Sequence, residues 1–376
     1  MAQAAVPRVD RARLQDRVEG ALGVPGAVVT EWRQEPLPEW SWGDATAGLY
    51  RFRGLACAGA ARLPWRLVLK VVRDPGDGFA WRTESDLYAS GALRGLPGPV
   101  RAPACHGVEV EADGTAWIWL EDVPAGAGAD RAWDPPAFRR VARALGRFNV
   151  SVPVPPAGGR WLRGAGLRGH VLHRDGPAGV IAREDVWRHP DVRRRWPASL
   201  KDRLLGLWSA RDRLLNALEG LPEGFLHGDL HPLNLVPVPS DPGREAEWVL
   251  LDWAQAGRGP LGADAASLVG GALATFRADP REARDLDRAA FEGHVEGLRD
   301  GGHAGEVREL RKVHCTAASL LWALPVAARA LWAAVEPGWR DLLVWRAGRS
   351  YDDLLAQRGQ ALDFLLGLGE EALSSS

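Results

Sequence analysis

The chain has 376 residues, against roughly 100–200 for a typical domain, so two lobes or more are expected. Its 46% hydrophobic and 25% charged residues are ordinary globular values and exclude a disordered chain, a collagen-like chain and a pure coiled coil. The 47 Lys+Arg and 48 Asp+Glu residues leave a net charge of −1, which points away from nucleic acid as a partner.

Residues 9–22 carry Leu14, Val18 and Leu22 at helical spacing. From about 27 to 73 the texture becomes short β-prone runs, Ala27–Trp32, Trp40–Trp42, Leu49–Ala56 and Arg66–Val72, separated by Gly- and Pro-bearing turns, which predicts an antiparallel meander. A helix over 80–95 follows, then strands near 104–111 and 115–121 joined by the turn Ala112-Asp113-Gly114. Ala125–Asp130 reads as a connector. Residues 135–149 predict a helix with Phe138, Val141, Leu145 and Phe148 on one face, and Val152–Gly159 reads as a loop. A long helix covers 198–219. Two short apolar runs, Gly224–Leu226 and Glu247–Leu251, flank a polar loop, and nearly everything from 262 to 368 reads as helix. The order is a small β-rich lobe to about residue 122, a hinge at about 120–125, and a large helical lobe over 125–376.

The segment Phe225-Leu226-His227-Gly228-Asp229-Leu230-His231-Pro232-Leu233-Asn234-Leu235 has apolar ends and a polar middle. An aspartate is followed five residues later by an asparagine, and further on an apolar strand ends in Asp252. Phosphoryl transfer calls for this set: a carboxylate to orient a hydroxyl and take its proton (Asp229), and an amide oxygen with a second carboxylate to hold Mg²⁺ against nucleotide phosphates (Asn234 and Asp252). Upstream, Lys70 stands alone in the apolar run Leu67–Val72. Only Lys70, Lys201 and Lys312 are lysines among the 47 basic residues. A half-buried lysine requires an anion, and Glu84 on the next helix is the first candidate, with Asp86 and Glu31 as rivals.

With these residues in place the chain resembles the aminoglycoside phosphotransferase and choline kinase superfamily, small-molecule relatives of the protein kinases. The likeness spans roughly residues 40–270 and rests chiefly on His-Gly-Asp-Leu-His-Pro-x-Asn in the catalytic loop 225–235. Leu251-Asp252-Trp253, Gly259-Pro260 and Asp264 match its metal-binding segment and following helix. It implies an α+β, bilobal protein-kinase-like fold, with a small antiparallel sheet and a helical lobe carrying the acceptor site. It further implies ATP and Mg²⁺ as cofactors, Asp229 as base, Asn234 and Asp252 as metal ligands, and Lys70 on the α/β phosphates paired with Glu84. Asp264 would brace the catalytic loop. The carbonyl of Glu121 and the N–H of Val123 would hold adenine, and Gly43–Gly48 would cover the phosphates. Leu233 and Gln255 depart from the family pattern, where a small and an acidic residue are common.

Other features are weighed against these. His227-x-Asp229-x-His231 alternates as hydrolase metal ligands can, but Pro232 follows directly, and His227 and His231 read better as structural. A non-catalytic nucleotide-binding pseudokinase and a kinase acting on protein are the other rivals. The 18 tryptophans read mainly as core, with an aromatic cage for a quaternary ammonium as the alternative. Residues 160–200 hold nine arginines against four acids and read as a solvated face. The scattered Cys57, Cys105 and Cys315 fit a reducing compartment. The N-terminus lacks an apolar signal region, and the apolar stretch from Cys315 to Val335 contains Pro325 and Arg329, so packed helices and a cytoplasmic protein are expected. The partner is a small-molecule hydroxyl acceptor, a sugar, amino alcohol or aminoglycoside, and not a membrane. Composition leaves the oligomeric state open.

Overall fold

Alternation of apolar residues in the first third of the chain builds one antiparallel sheet. A computed structural model describes residues 7–37, 45–76, 80–123, 133–153, 167–172, 176–238 and 247–375. Helix α1 (Arg11–Leu22) precedes β1 (Val28–Pro36), β2 (Thr46–Ala58) and β3 (Ala61–Val72). Helix α2 (Thr83–Ser90), β4 (Val100–Arg101), β5 (Cys105–Val110) and β6 (Ala116–Glu121) follow. The five-stranded order is β1-β2-β3-β6-β5. Successive side chains of a strand face opposite sides. Leu67, Leu69 and Val71 therefore join Trp117 and Trp119 under α1, with Leu14 and Val18. Val72, Ile118 and Leu120 face the other way, toward Leu87 and Tyr88 of α2. Lys70 shares the parity of Val72, and register sets it opposite Ile118.

Helix α2 is shorter than the sequence suggests. Gly91 ends it with φ 76 in the left-handed region, a conformation that costs glycine little. The expected strand Trp40–Trp42, Gly43 and the expected connector Ala125–Asp130 lie outside the described residues.

The second lobe begins with α3 (Pro135–Ser151), whose N-terminus is capped by Asp134 accepting from the Ala137 N–H at 2.9 Å. Short helices α4 (Leu167–Leu172), α5 (Gly176–Ala182), α6 (Glu184–Arg188) and α7 (Pro190–Arg195) lead to α8 (Ser199–Asn216). Next come β7 (Glu223–Leu226), β8 (Leu235–Val238), β9 (Glu247–Leu250), β10 (Gly257–Pro260) and α9 (Ala263–Ala274). The chain finishes with α10 (Ala283–Asp300), α11 (Val307–Ala318), a π-helical turn at Ser319–Ala323, α12 (Leu324–Val335), α13 (Pro337–Ala347) and α14 (Tyr351–Ser374). All of α9 is buried. Val307–Val335 is long and apolar enough to cross a membrane, yet 78% of its most apolar window is buried inside the fold.

Two short sheets take up the apolar runs that flank the polar loop. The runs at 224–226 and 247–251 do not pair with each other: β7 pairs with β10, and β9 pairs with β8. Strands of two to four residues are too short to show a period. Contacts also link the parts of the chain on either side of residue 122. Strand β4 comes from the first part of the chain but pairs in parallel with β9 of the second, and the Trp248 N–H donates to the Pro99 carbonyl at 2.7 Å. Arg101 grips Glu121 through two bonds of 2.6 and 2.9 Å and approaches Glu247 at 3.5 Å. Arg51 holds Asp122 at 2.9 and 3.1 Å. The hinge is thus tied to both lobes.

Four arginines of the arginine-rich stretch are paired with acids at the surface. Arg168 meets Glu219, Arg183 meets Asp185, and Arg194 and Arg195 meet Asp352. Among the described tryptophans Trp119 and Trp253 are fully buried, Trp81, Trp208 and Trp322 pack partly buried against the core, and Trp345 is exposed.

Candidate active site

Lys70 reaches out of β3 as a buried ammonium with two carboxylates. Its Nζ lies 2.5 Å from Glu84 Oε2 and 2.8 Å from Asp252 Oδ1. Glu84 is the helix partner; of its rivals, Glu31 pairs with Arg62 instead. Burial alone would lower the Lys70 pKa, but the charges of Asp252 and Glu84 outweigh it and hold it above the ordinary value. Burial likewise pushes Asp252 upward, but Lys70 overrides it and keeps that carboxyl below the usual range. The second oxygen of Glu84 accepts from the Trp253 N–H at 3.2 Å, so one buried side chain fixes both the lysine and the turn after Asp252.

That turn is strained. Asp252 has φ 61, a left-handed conformation costing a non-glycine residue about 1–2 kcal/mol. It folds the chain back at the end of β9, and Trp253 beyond it is fully buried against Phe148, Phe225 and His227.

The β8–β9 hairpin brings the asparagine and the aspartate together. Leu235 is paired with Leu250, and the Leu251 N–H donates to the Asn234 carbonyl at 2.9 Å. Asn234 and Asp252 therefore stand at one end of the same hairpin. The Asn234 amide donates through Nδ2 to the Asp229 carbonyl at 2.9 Å, which leaves Oδ1 as its acceptor. A carboxylate and an amide oxygen on residues at one end of a hairpin are ligand types that suit a hard cation such as Mg²⁺.

The loop carrying Asp229 is held from behind. Asp264 accepts from the N–H groups of His227 at 2.9 Å and Gly228 at 3.0 Å, which is the bracing expected of it. Gly228 has φ +81, and a Cβ there would stand 2.2 Å from the Gln255 carbonyl oxygen, so glycine is required on both counts. His227 is buried, and burial pushes its pKa down. Its Nε2 lies 2.9 Å from the Leu251 carbonyl and must donate, because a carbonyl only accepts. That bond ties His227 to the chain leading into Asp252 and gives it a structural task in the loop. His231 Nε2 lies 3.9 Å from Asp229 Oδ2, and its ring meets Trp322 edge-on.

The structure thus joins Lys70, Glu84 and Asp252 directly and Asp229, Asn234 and Asp252 through backbone links. Two expected nucleotide contacts are placed differently. Gly48 lies within β2 at a bulge, not in a covering turn. The Val123 N–H donates to the Glu121 carbonyl at 3.1 Å, so the two groups assigned to adenine are bonded to each other. The sequence reading missed the direct Lys70–Asp252 contact. It also missed Asn149 and His294, which lie behind Asp264; no motif links residues so far apart in the chain.

A family model described as the phosphotransferase enzyme family matches residues 58–301. No curated protein matches the sequence. Among solved structures, a microcompartment-associated aminopropanol kinase is similar at TM-score 0.53 and 17% identity, over 97% of this chain and 98% of that one. A choline/ethanolamine kinase family protein from Mesorhizobium loti shows TM-score 0.46 and 14% identity over 97% and 99%. An aminoglycoside phosphotransferase from Streptomyces rimosus shows TM-score 0.44 and 20% identity over 84% and 100%.

Proposed function

The chain belongs to the phosphotransferase enzyme family, with the bilobal protein-kinase-like fold, and on that premise we propose that it moves the γ-phosphoryl group of Mg²⁺·ATP to a hydroxyl of a small molecule. The observation that carries this reading is the single cluster formed by Lys70, Glu84 and Asp252, with Asn234 beside it on the hairpin.

Each residue has a physical task. Lys70, kept charged and aimed from a rigid strand, attracts the phosphates and would exchange part of its contact with Asp252 for them. Glu84 keeps the ammonium in place. Asp252 and Asn234 would hold Mg²⁺, which supplies neutralisation of phosphate charge. Asp229 orients the acceptor hydroxyl and takes its proton, on a loop whose backbone is fixed by Asp264. Fixing these groups in advance supplies most of what phosphoryl transfer asks of a protein, position and charge. The Glu121–Val123 turn would open to receive the adenine edge. Unpaired Cys57, Cys105 and Cys315 suit a cytoplasmic enzyme.

Intact Lys70, Asp229, Asn234 and Asp252 speak against the pseudokinase reading. A coupled ADP-release screen over sugars, amino alcohols and aminoglycosides, with ATP and GTP as donors, tests the proposal. One acceptor class should accelerate release in a Mg²⁺-dependent way that Asp229→Ala abolishes. Nucleotide binding without ADP release from any acceptor or from water would favour the pseudokinase.

A further inference from the structure

We infer that a buried relay from His294 through Asn149 to Asp264 positions the catalytic loop, which makes His294 and Asn149 positioning residues for the Asp229 carboxylate. The inference rests on Asp229 being the base.

Neither residue belongs to the loop. Asn149 is on α3 and His294 on α10, and both, like Asp264, are fully buried. The Asn149 Nδ2 donates to Asp264 Oδ2 and to the Phe225 carbonyl, both at 2.8 Å. Both partners only accept, so the amide orientation is settled and Oδ1 must face His294. The His294 Nε2 lies 3.0 Å from that oxygen and is therefore the donor. Asp264 in turn takes the His227 and Gly228 N–H groups. Donation runs from His294 through Asn149 to Asp264, where it meets the N–H groups donated by the loop, so the carboxylate is the shared acceptor; Phe225 ties the strand entering the loop to the same amide.

The relay depends on a neutral imidazole protonated at Nε2. Nδ1 is buried without a partner, so an imidazolium would leave an N–H unsatisfied. Burial, with His314 and His303 adding to it, pushes the His294 pKa down to about 3, and the ring stays neutral at physiological pH.

The helix pair is built to allow the contact. A Cβ at Gly146 would stand 2.3 Å from the His294 carbonyl oxygen, one at Gly293 2.3 Å from that of Arg139, and one at Gly297 2.0 Å from that of Arg143. Three glycines inside two helices each cost about 0.5–1 kcal/mol, and they let the backbones touch. Arg139–Glu292 at 2.9 Å and Arg143–Asp300 at 2.7 Å flank the seam. A helix pair needing only cohesion gains nothing from a histidine–asparagine contact at its centre, whereas the loop gains a fixed Asp264.

Hydrogen exchange read by mass spectrometry on the full chain tests this. In His294→Leu and His294→Asn, whose side chains lack or fall short of the donor, amides over 225–231 should exchange about tenfold faster. Those over 67–72 should keep their wild-type rate. His294→Gln, whose amide reaches the Nε2 position, should restore protection. Faster exchange confined to 139–149 and 290–298, with 225–231 unchanged, would show that His294 only joins the helices and would overturn the inference. If His294→Leu fails to fold, the Asn and Gln variants give the same comparison, and equal protection of 225–231 in both overturns it. Full turnover in Asp229→Ala would remove the base assignment without touching this exchange result, so the two failures are separable.

Discussion

Replacing Asp264 by asparagine should destabilise the protein by about 3 kcal/mol, although the change is nearly isosteric. The carboxylate is fully buried and receives three N–H groups: Gly228 on Oδ1, and His227 and Asn149 on Oδ2. An amide offers one oxygen and one NH₂. In its best orientation the oxygen replaces Oδ2 and keeps two bonds, while the NH₂ faces the Gly228 N–H. One bond to a charged acceptor is lost, at about 1.5–3 kcal/mol, and the two survivors fall from charge-assisted to neutral strength, about 1 kcal/mol each. Relief from burying a charge returns part of this. Urea denaturation of wild type and Asp264→Asn gives the difference from the midpoint shift at constant m. Asp229→Asn, which breaks none of these bonds, serves as control and should lie within about 0.5 kcal/mol of wild type. A stability for Asp264→Asn within that same margin would refute the bracing role.

Other predictions follow from the same contacts. Lys70→Met leaves the nearly inaccessible Glu84 without its cation and should cost about 3–5 kcal/mol. Adding Glu84→Leu should recover more than half of that in a double-mutant cycle, and strictly additive losses would deny the coupling. Gly228→Ala must place a Cβ against the Gln255 carbonyl at positive φ. It should lower kcat at least about tenfold by displacing the Asp229 loop, and wild-type turnover would contradict this. His294, with a folded pKa of about 3 against about 6.5 unfolded, binds fewer protons folded than unfolded between those values. Stability is therefore complete above about pH 6.5 and falls as pH drops toward 3, by about 1.4 kcal/mol per unit from this group. His294→Gln should flatten the stability profile between about pH 4 and 6 by that slope, and an unchanged profile would show that His294 is not held neutral.

The fold was legible where local signals are strong. Short β-prone runs between turns marked β2, β3 and β6, and helical spacing marked α1 and α3. The catalytic loop and Asp252 stood out through residue types at short spacing, Asp264 came only through the family resemblance, and the lone strand lysine pointed to its helix partner. Contacts between distant segments were not legible. Strands β4, β8 and β10 are two to four residues long and owe their existence to pairing partners elsewhere in the chain. The left-handed turn at Asp252, the bond from the Val123 N–H to the Glu121 carbonyl, and the bulge at Gly48 depend on tertiary context that overrides local preference. Asn149 and His294 sit among apolar neighbours like many buried polar residues, and only the approach of α3 and α10 reveals what they hold.

Mg²⁺-dependent binding of a non-hydrolysable ATP analogue by calorimetry, compared with turnover in the same variants, is the most direct check on the site. Convergence of Asp229, Asn234 and Asp252 on one cation and its phosphate predicts that Asp229→Ala binds the analogue as tightly as wild type with turnover abolished, while Asp252→Ala loses the increment in affinity that Mg²⁺ provides. Unchanged Mg²⁺ enhancement in Asp252→Ala, or full turnover in Asp229→Ala, would contradict it.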